Sequence, residues 1–115
     1  MNLATAAQPL SDPTRGRNTT FSLGEEGDPN APYIIYLQQP AGVTSSPHSH
    51  VSDYCEIVLE GSVKVGKKWH HKGDVRIVPA GSGYGPLEAG PDGLTALIIF
   101  ARQDHSKIAK GATSD

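Results

Sequence analysis

The chain has 115 residues, with 10 basic and 12 acidic side chains and a net charge of −2, and this length fits a single domain. It contains no basic stripe, which makes nucleic acids and acidic membrane surfaces poor candidate partners. Its one cysteine, Cys55, excludes an internal disulfide, and no apolar run approaches the roughly 20 residues that span a bilayer. The first residues do not resemble a signal peptide, so the cytoplasm is the default location.

The predicted elements, taken in chain order, indicate an all-β domain. Thirteen glycines and nine prolines divide the chain into short segments without helical periodicity. Residues 1–18 are predicted to be an N-terminal arm, either loose or lying along the domain or a neighbouring subunit. Residues 19–104 are predicted to form a β-sandwich or barrel, and residues 105–115 a polar tail that could form one helical turn.

The strands are predicted from β-branched and aromatic runs between turn residues. They are Thr19–Leu23, Tyr33–Leu37, Pro47–His50, Tyr54–Leu59, Ser62–Val65, a return leg from Trp69, Val75–Val78 and Leu94–Phe100. Gly61 is expected to end the strand before it, and Asp92-Gly93 to form a hairpin turn.

His48 and His50 are the strongest candidates for chemistry. On a strand they share one face, with their Cα atoms roughly 6–7 Å apart. Two imidazole nitrogens at this spacing can converge on one metal ion. The alternative interpretation is a solvated strand end.

The surrounding residues form two spaced motifs. Gly42 stands six residues before His48, and the run Val58–Gly61 follows at the expected distance. The second motif consists of Gly73, Pro79 and Gly81: five residues separate the first two, and one residue separates the last two. Over roughly residues 33–100 this pattern resembles the cupin family. The resemblance implies a single-domain jelly-roll β-barrel with a divalent transition metal (Fe, Mn, Ni or Zn) at its mouth, and a homodimer in which the arm could be exchanged.

Some of the family's ligand positions hold other residues in this chain. Tyr54 stands at the glutamate position, Tyr84 at the third histidine position and Glu88 at the asparagine position. Glu56 shares the predicted face of Tyr54 and could complete a two-histidine, one-carboxylate set with His48 and His50. Alternatively, Glu56 lies on the opposite face of the strand or pairs with a lysine. Asp53 is a weaker candidate for the carboxylate ligand, because it falls in a turn.

Tyr54 and Tyr84 are the candidate catalytic residues. Each phenol could line the pocket and supply a hydrogen bond or a proton, could ligate the metal as a phenolate, or could be an ordinary core residue. Gln38 and Arg76 are further pocket candidates. If Arg76 faces inward it could bind a carboxylate, and if outward it is a solvated charge.

The other reactive residues are assigned structural positions. His70 and His71 are adjacent, so they face opposite sides of a strand and are predicted to be surface residues. His105 is assigned to the tail and Cys55 to an inert, buried position facing away from the histidine pair.

Two functions remain open at this point. One is a metal-dependent cupin-like enzyme acting on a small organic substrate, of oxygenase, isomerase, decarboxylase or lyase type. The other is a non-catalytic cupin that binds a small ligand with a degraded metal site.

Overall fold

The structure is a computed structural model that describes residues 1–109. Its strands are β1 (Gln8–Pro9), β2 (Arg17–Ser22), β3 (Tyr33–Gln39), β4 (Thr44–Ser45), β5 (His48–His50), β6 (Tyr54–Val65), β7 (Lys68–His71), β8 (Val75–Val78), β9 (Leu87–Phe100) and β10 (Lys107–Ala109). The single α-helix of this part of the chain, α1 (Leu3–Ala6), has four residues and is too short to cross a membrane. The all-β prediction is confirmed.

All strand pairs within residues 1–109 are antiparallel. The main sheet has the order β1-β2-β3-β9-β6-β7, with β4 added on β9 and β8 added on β6. The separate pair β5–β10 carries both candidate histidines, and an isolated bridge joins His48 to Tyr84. This arrangement brings His48 and His50 to the same region as the beginning of β6 and the loop after β8.

Two turn predictions are wrong for one shared reason. Gly61 does not end its strand, because β6 continues to Val65, and Asp92-Gly93 lies inside β9 instead of forming a hairpin. The pairing of β6 with β9 shifts register on each side of Gly61, where its backbone has φ of +74° and lies against the carbonyl of Gly93. Both glycines therefore serve a β-bulge, which bends the strands without ending them.

The two ends of the chain are built into the domain. The arm is not loose, because β1 pairs with β2, Ala7 is fully buried, and Arg17 donates to the Ala7 carbonyl at 2.6 Å. The predicted helical turn in the tail is wrong over Lys107–Ala109, which form strand β10 and supply the edge of β5 with backbone hydrogen bonds. The rest of the predicted tail, residues 110–115, lies outside the described residues.

The core has two parts. One contains Val58, Val63, Ala89, Leu94 and Ala96, and the other contains Tyr54, Val78 and Phe100. The second part adjoins the histidine pair, so the candidate site is continuous with the packed interior.

Candidate functional site

A pocket of about 250 Å³ lies inside the barrel. Its walls are mainly apolar. Leu10 of the arm lines it, and the other aliphatic side chains come from β3, β6 and β9: Ile35, Leu37, Val63, Leu87, Leu94 and Ile98. Polar side chains also line it: His48, His50, Tyr54, Glu56, Arg76 and Tyr84. The volume is below the ~300–1,000 Å³ typical of pockets for drug-sized ligands, which restricts the occupant to a small molecule.

The two histidines are held in one tautomer by backbone carbonyls. Nδ1 of His48 lies 2.8 Å from the Ser46 carbonyl oxygen, and Nδ1 of His50 lies 2.7 Å from that of His105. Because a carbonyl only accepts, each Nδ1 carries the proton and each Nε2 keeps its lone pair. Their rings meet edge to face with centroids 5.0 Å apart, so the prediction that they share one face is met.

Burial also keeps these imidazoles neutral. Both side chains are buried, and burial lowers the pKa of each ring, while the hydrogen bond from Nδ1 to the carbonyl opposes this in part. A neutral imidazole with a free Nε2 is the form that binds metal ions. Hydrogen bonds from the metal-distal nitrogen are the usual way in which such ligands are oriented.

Tyr84 and Tyr54 complete the polar end of the pocket. The Tyr84 hydroxyl donates to Nε2 of His48 at 2.7 Å. The Tyr54 hydroxyl is buried and has no hydrogen-bond partner among residues 1–109. Burial raises the pKa of both phenols, so they are protonated at neutral pH in the absence of a bound cation.

Glu56 faces the pocket as predicted but is already paired. Burial along β6 alternates, with Tyr54 and Glu56 buried and Cys55 only partly so, which places the first two on the inner face. Both Nε and Nη2 of Arg76 donate to Oε1 of Glu56, at 3.2 and 3.0 Å. Arg76 therefore faces inward, and the outward alternative is wrong, because β8 turns Val75 and Ile77 to solvent instead.

Because Glu56 is paired with Arg76, the predicted metal-ligand set of His48, His50 and Glu56 has no support in the structure. No group of three His, Cys, Asp or Glu side chains within residues 1–109 is placed to hold one ion. Asp53 is exposed and accepts from the backbone N–H of Ala80 at 2.7 Å, and Glu88 is exposed on β9. The donors that do surround the histidines are phenols.

The prediction that Gln38 lines the pocket is wrong by one residue. Gln38 does not line the pocket: it faces away from it with Tyr36, whose hydroxyl accepts from Gln38 Nε2 at 3.0 Å. Its neighbour Gln39 lines the pocket with Ile35 and Leu37, since alternate residues of a strand share a face.

Three residues near the site were not found from the sequence. Arg15 and Lys107 line the pocket and add two cations to it, and Arg15 donates to the Thr44 carbonyl at 2.7 Å. His105, assigned to the tail, orients His50 through its carbonyl and stacks on Tyr33 with centroids 4.3 Å apart. No local pattern marks them, because the arm and the tail reach the site only through the folded topology.

His70 and His71 are not brought to the site. His71 is exposed and His70 half-buried on β7. They are suited to serve as control positions for experiments on the histidine pair.

Comparison with known proteins identifies the fold. No protein-family model and no curated protein matches this sequence. Among solved structures, oxalate decarboxylase of Bacillus subtilis superposes with a TM-score of 0.71 at 16% identity, over 91% of this chain and 30% of that chain. A second structure of that enzyme, from a study of its Mn(II) centres, gives a TM-score of 0.73 at 16% identity, over 95% and 32%.

A third similar structure is a chain of the Rhodobacter sphaeroides SigE complex with the anti-sigma ChrR. Its TM-score is 0.61 at 17% identity, over 82% of this chain and 48% of that one. The chain thus spans about 30% of the length of the oxalate decarboxylases and about half that of the third chain. These likenesses confirm the predicted jelly-roll β fold.

Proposed function

We propose that this cupin-fold chain is a metal-dependent enzyme for a small organic substrate, with a transition metal (iron, manganese, nickel or zinc) held by His48 and His50. The observation that carries the proposal is the orientation of the two imidazoles. Both have Nδ1 committed to a backbone carbonyl and the acceptor nitrogen Nε2 unprotonated, and that of His48 accepts a hydrogen bond from the Tyr84 hydroxyl in the pocket. The Mn(II) centres of the similar oxalate decarboxylase support a metal in a protein of this fold.

The residues present fit such an ion in part. Two neutral imidazoles and a buried hydroxyl without a partner, that of Tyr54, are suitable donors. Glu56 is not suitable as it stands, because its Oε1 accepts two hydrogen bonds from Arg76. When bound, the ion would supply Lewis-acid polarisation of a carbonyl or enolate oxygen, or a place for dioxygen.

The other pocket residues bind and orient the substrate. The aliphatic walls take its apolar part and exclude water, which strengthens the polar contacts at the inner end. If Nε2 of His48 binds the ion, the Tyr84 hydroxyl loses the acceptor to which it now donates, and it is then free to donate to a substrate oxygen or to ligate the ion itself. Arg15 and Lys107 favour a substrate that carries negative charge.

Metal analysis of the full chain, purified without a histidine tag, tests this proposal. After incubation with each of the four metals and gel filtration, we expect one ion per chain in the wild type. The double variant His48→Ala, His50→Ala should lose it, while the matched control His70→Ala, His71→Ala should keep it. A metal-free wild type under all four conditions would refute the proposal.

The second candidate is a non-catalytic small-ligand-binding cupin. It is favoured by the Glu56–Arg76 pair, which removes the one inward carboxylate from the donor set. In that case, ligands that protect the chain against thermal unfolding would do so equally in the presence and absence of metal. Protection that requires the metal, and is lost in the His48→Ala, His50→Ala variant, distinguishes the enzyme.

We also expect the chain to form a homodimer. Strand β8 exposes Val75 and Ile77, which are 54% and 80% accessible, and such side chains are common in subunit interfaces. Analytical ultracentrifugation of the wild type and of an Ile77→Lys variant tests this. A monomeric wild type at micromolar concentration would contradict it.

A further inference from the structure

Four rings form a closed cluster at the inner end of the pocket. Their centroid distances are 5.0 Å for His48–His50, 5.1 Å for His50–Tyr54, 6.0 Å for Tyr54–Tyr84 and 4.7 Å for Tyr84–His48. Each ring therefore contacts the next, and two of the four carry a hydroxyl. We call this set the four-ring cluster.

One pair of polar atoms in the cluster has nearly the spacing of two ligands on one ion. The Tyr84 hydroxyl oxygen and Nε2 of His48 are 2.7 Å apart. Two donors that each lie ~2.0–2.1 Å from a metal at a right angle are separated by about 2.8–3.0 Å. A single ion could therefore replace the shared proton with little movement of either side chain.

The Tyr54 hydroxyl is a second, independent observation. Tyr54 is 5% exposed, and no residue of the described part of the chain meets this oxygen with hydrogen-bond geometry, although Tyr84 and Arg76 lie near it. A buried hydroxyl without a partner costs roughly 1–3 kcal/mol. A metal ion or other ligand bound to this hydroxyl oxygen would remove that energetic cost.

We propose that His48, His50, Tyr54 and Tyr84 form a two-histidine, two-tyrosine site for ferric iron, with both tyrosines bound as phenolates. This inference rests on the proposed function, because it names the ligands and the ion of the same site. Binding of one Fe³⁺ releases one proton from each phenol. The histidines stay neutral and bind through Nε2, so the loaded cluster has a net charge of +1.

The chemistry of the donor atoms favours iron over the other candidates. Phenolate oxygen is a hard, anionic donor that prefers a trivalent ion, tyrosine is a known ligand of ferric iron, and imidazole also suits iron. Glu56 cannot supply the negative charge, because Arg76 holds it. The Arg76 guanidinium lies 4.6 Å from the centroid of the Tyr84 ring, and a cation at that place stabilises a phenolate.

Visible absorption provides a test that does not depend on activity. The full chain is stripped with a chelator and titrated with Fe³⁺, and separately with Zn²⁺ as a colourless comparison. Phenolate-to-iron charge transfer gives an intense visible band, which histidine and carboxylate ligands do not produce. We expect this band to saturate at one iron per chain, with tyrosinate ring modes in the resonance Raman spectrum excited in it.

The variants assign the band to the cluster. Tyr54→Phe and Tyr84→Phe should each reduce its intensity by about half and shift its maximum, and the double variant should abolish it. Tyr36→Phe is the matched control, since Tyr36 is a buried tyrosine on the opposite face of the sheet and should leave the band unchanged. The Raman measurement on the wild type needs no variant, so a variant that fails to fold does not remove the test.

The possible failures are distinguishable. Iron that binds with no visible band, or with a band that survives in both tyrosine variants, overturns the tyrosine ligands and leaves the proposed metal function standing. Zinc that binds at one per chain while Fe³⁺ does not bind also overturns this inference alone. Failure of all metals to bind overturns the inference and the metal part of the proposed function together.

Discussion

The buried pair of Glu56 and Arg76 allows a quantitative test of the site's framework. The two residues are direct cross-strand partners on β6 and β8, and their side chains are 5% and 12% exposed. Removing one member of such a pair leaves the other charge buried without a partner, at a cost of about 3–5 kcal/mol. Replacing both by apolar side chains of similar size is neutral or stabilising by up to roughly 4 kcal/mol.

We therefore expect Glu56→Gln and Arg76→Met each to lower the melting temperature by about 12–20 °C, taking ~4 °C per kcal/mol for a domain of this size. The double variant Glu56→Leu, Arg76→Met should melt within about 4 °C of the wild type or above it. Thermal and urea unfolding followed by circular dichroism, analysed as a double-mutant cycle, measures the coupling.

The two single variants leave opposite charges without a partner. In Arg76→Met the carboxylate of Glu56 is buried alone. In Glu56→Gln the guanidinium keeps its charge and loses its charged partner. Single effects that add up to the double effect within about 0.5 kcal/mol would refute the coupling.

Two further predictions concern the bulge and the histidine pair. Gly61→Ala should prevent stable folding, because a Cβ there would collide with the Gly93 carbonyl. Gly73 also has a positive φ but has open space around it, so Gly73→Ala should lower the free energy of unfolding by only about 1–2 kcal/mol. Equal melting temperatures of the two variants would contradict this. Burial lowers the pKa values of His48 and His50, so the unfolded chain binds more protons and the stability of the metal-free protein is full above about pH 6.5 and falls below it. A His48→Gln, His50→Gln variant should show a weaker fall in melting temperature between about pH 7 and pH 5, and an unchanged fall would contradict the assignment.

The sequence predicts those parts of the site that depend on local periodicity. The alternation of side chains along a strand places His48 with His50, and Tyr54 with Glu56, and the structure has both pairs on inner faces. The same rule places Gln38 and Gln39 on opposite faces of their strand. It does not say which of the two faces the pocket unless the orientation of another residue in that strand is known. A shift of one residue exchanges the two faces, which is why the prediction for Gln38 is wrong.

The parts that could not be predicted depend on contacts between distant segments. Arg76 binds Glu56, twenty residues earlier in the chain, because β8 pairs with β6. Nothing in the sequence of Val75–Val78 indicates that β6 is the strand with which it pairs. A glycine with positive φ suits a turn and a bulge equally, so Gly61 could be assigned only from the strand opposite it. The tail was read as polar and irregular because an edge strand that pairs with a three-residue strand has no periodic signature of its own.

The charge of the four-ring cluster argues that the protein can fold before any of the proposed ions binds. Two neutral imidazoles and two protonated phenols carry no net charge, so the apolar neighbours Phe100 and Ile98 can surround them at little electrostatic cost. A site made with Glu56 would instead leave a buried carboxylate whenever the ion departs, and Arg76 prevents this by pairing with it permanently. In the proposed site the ion pair and the phenols would have complementary roles: the pair keeps a fixed charge compensated, and the phenols would develop charge only when a cation binds.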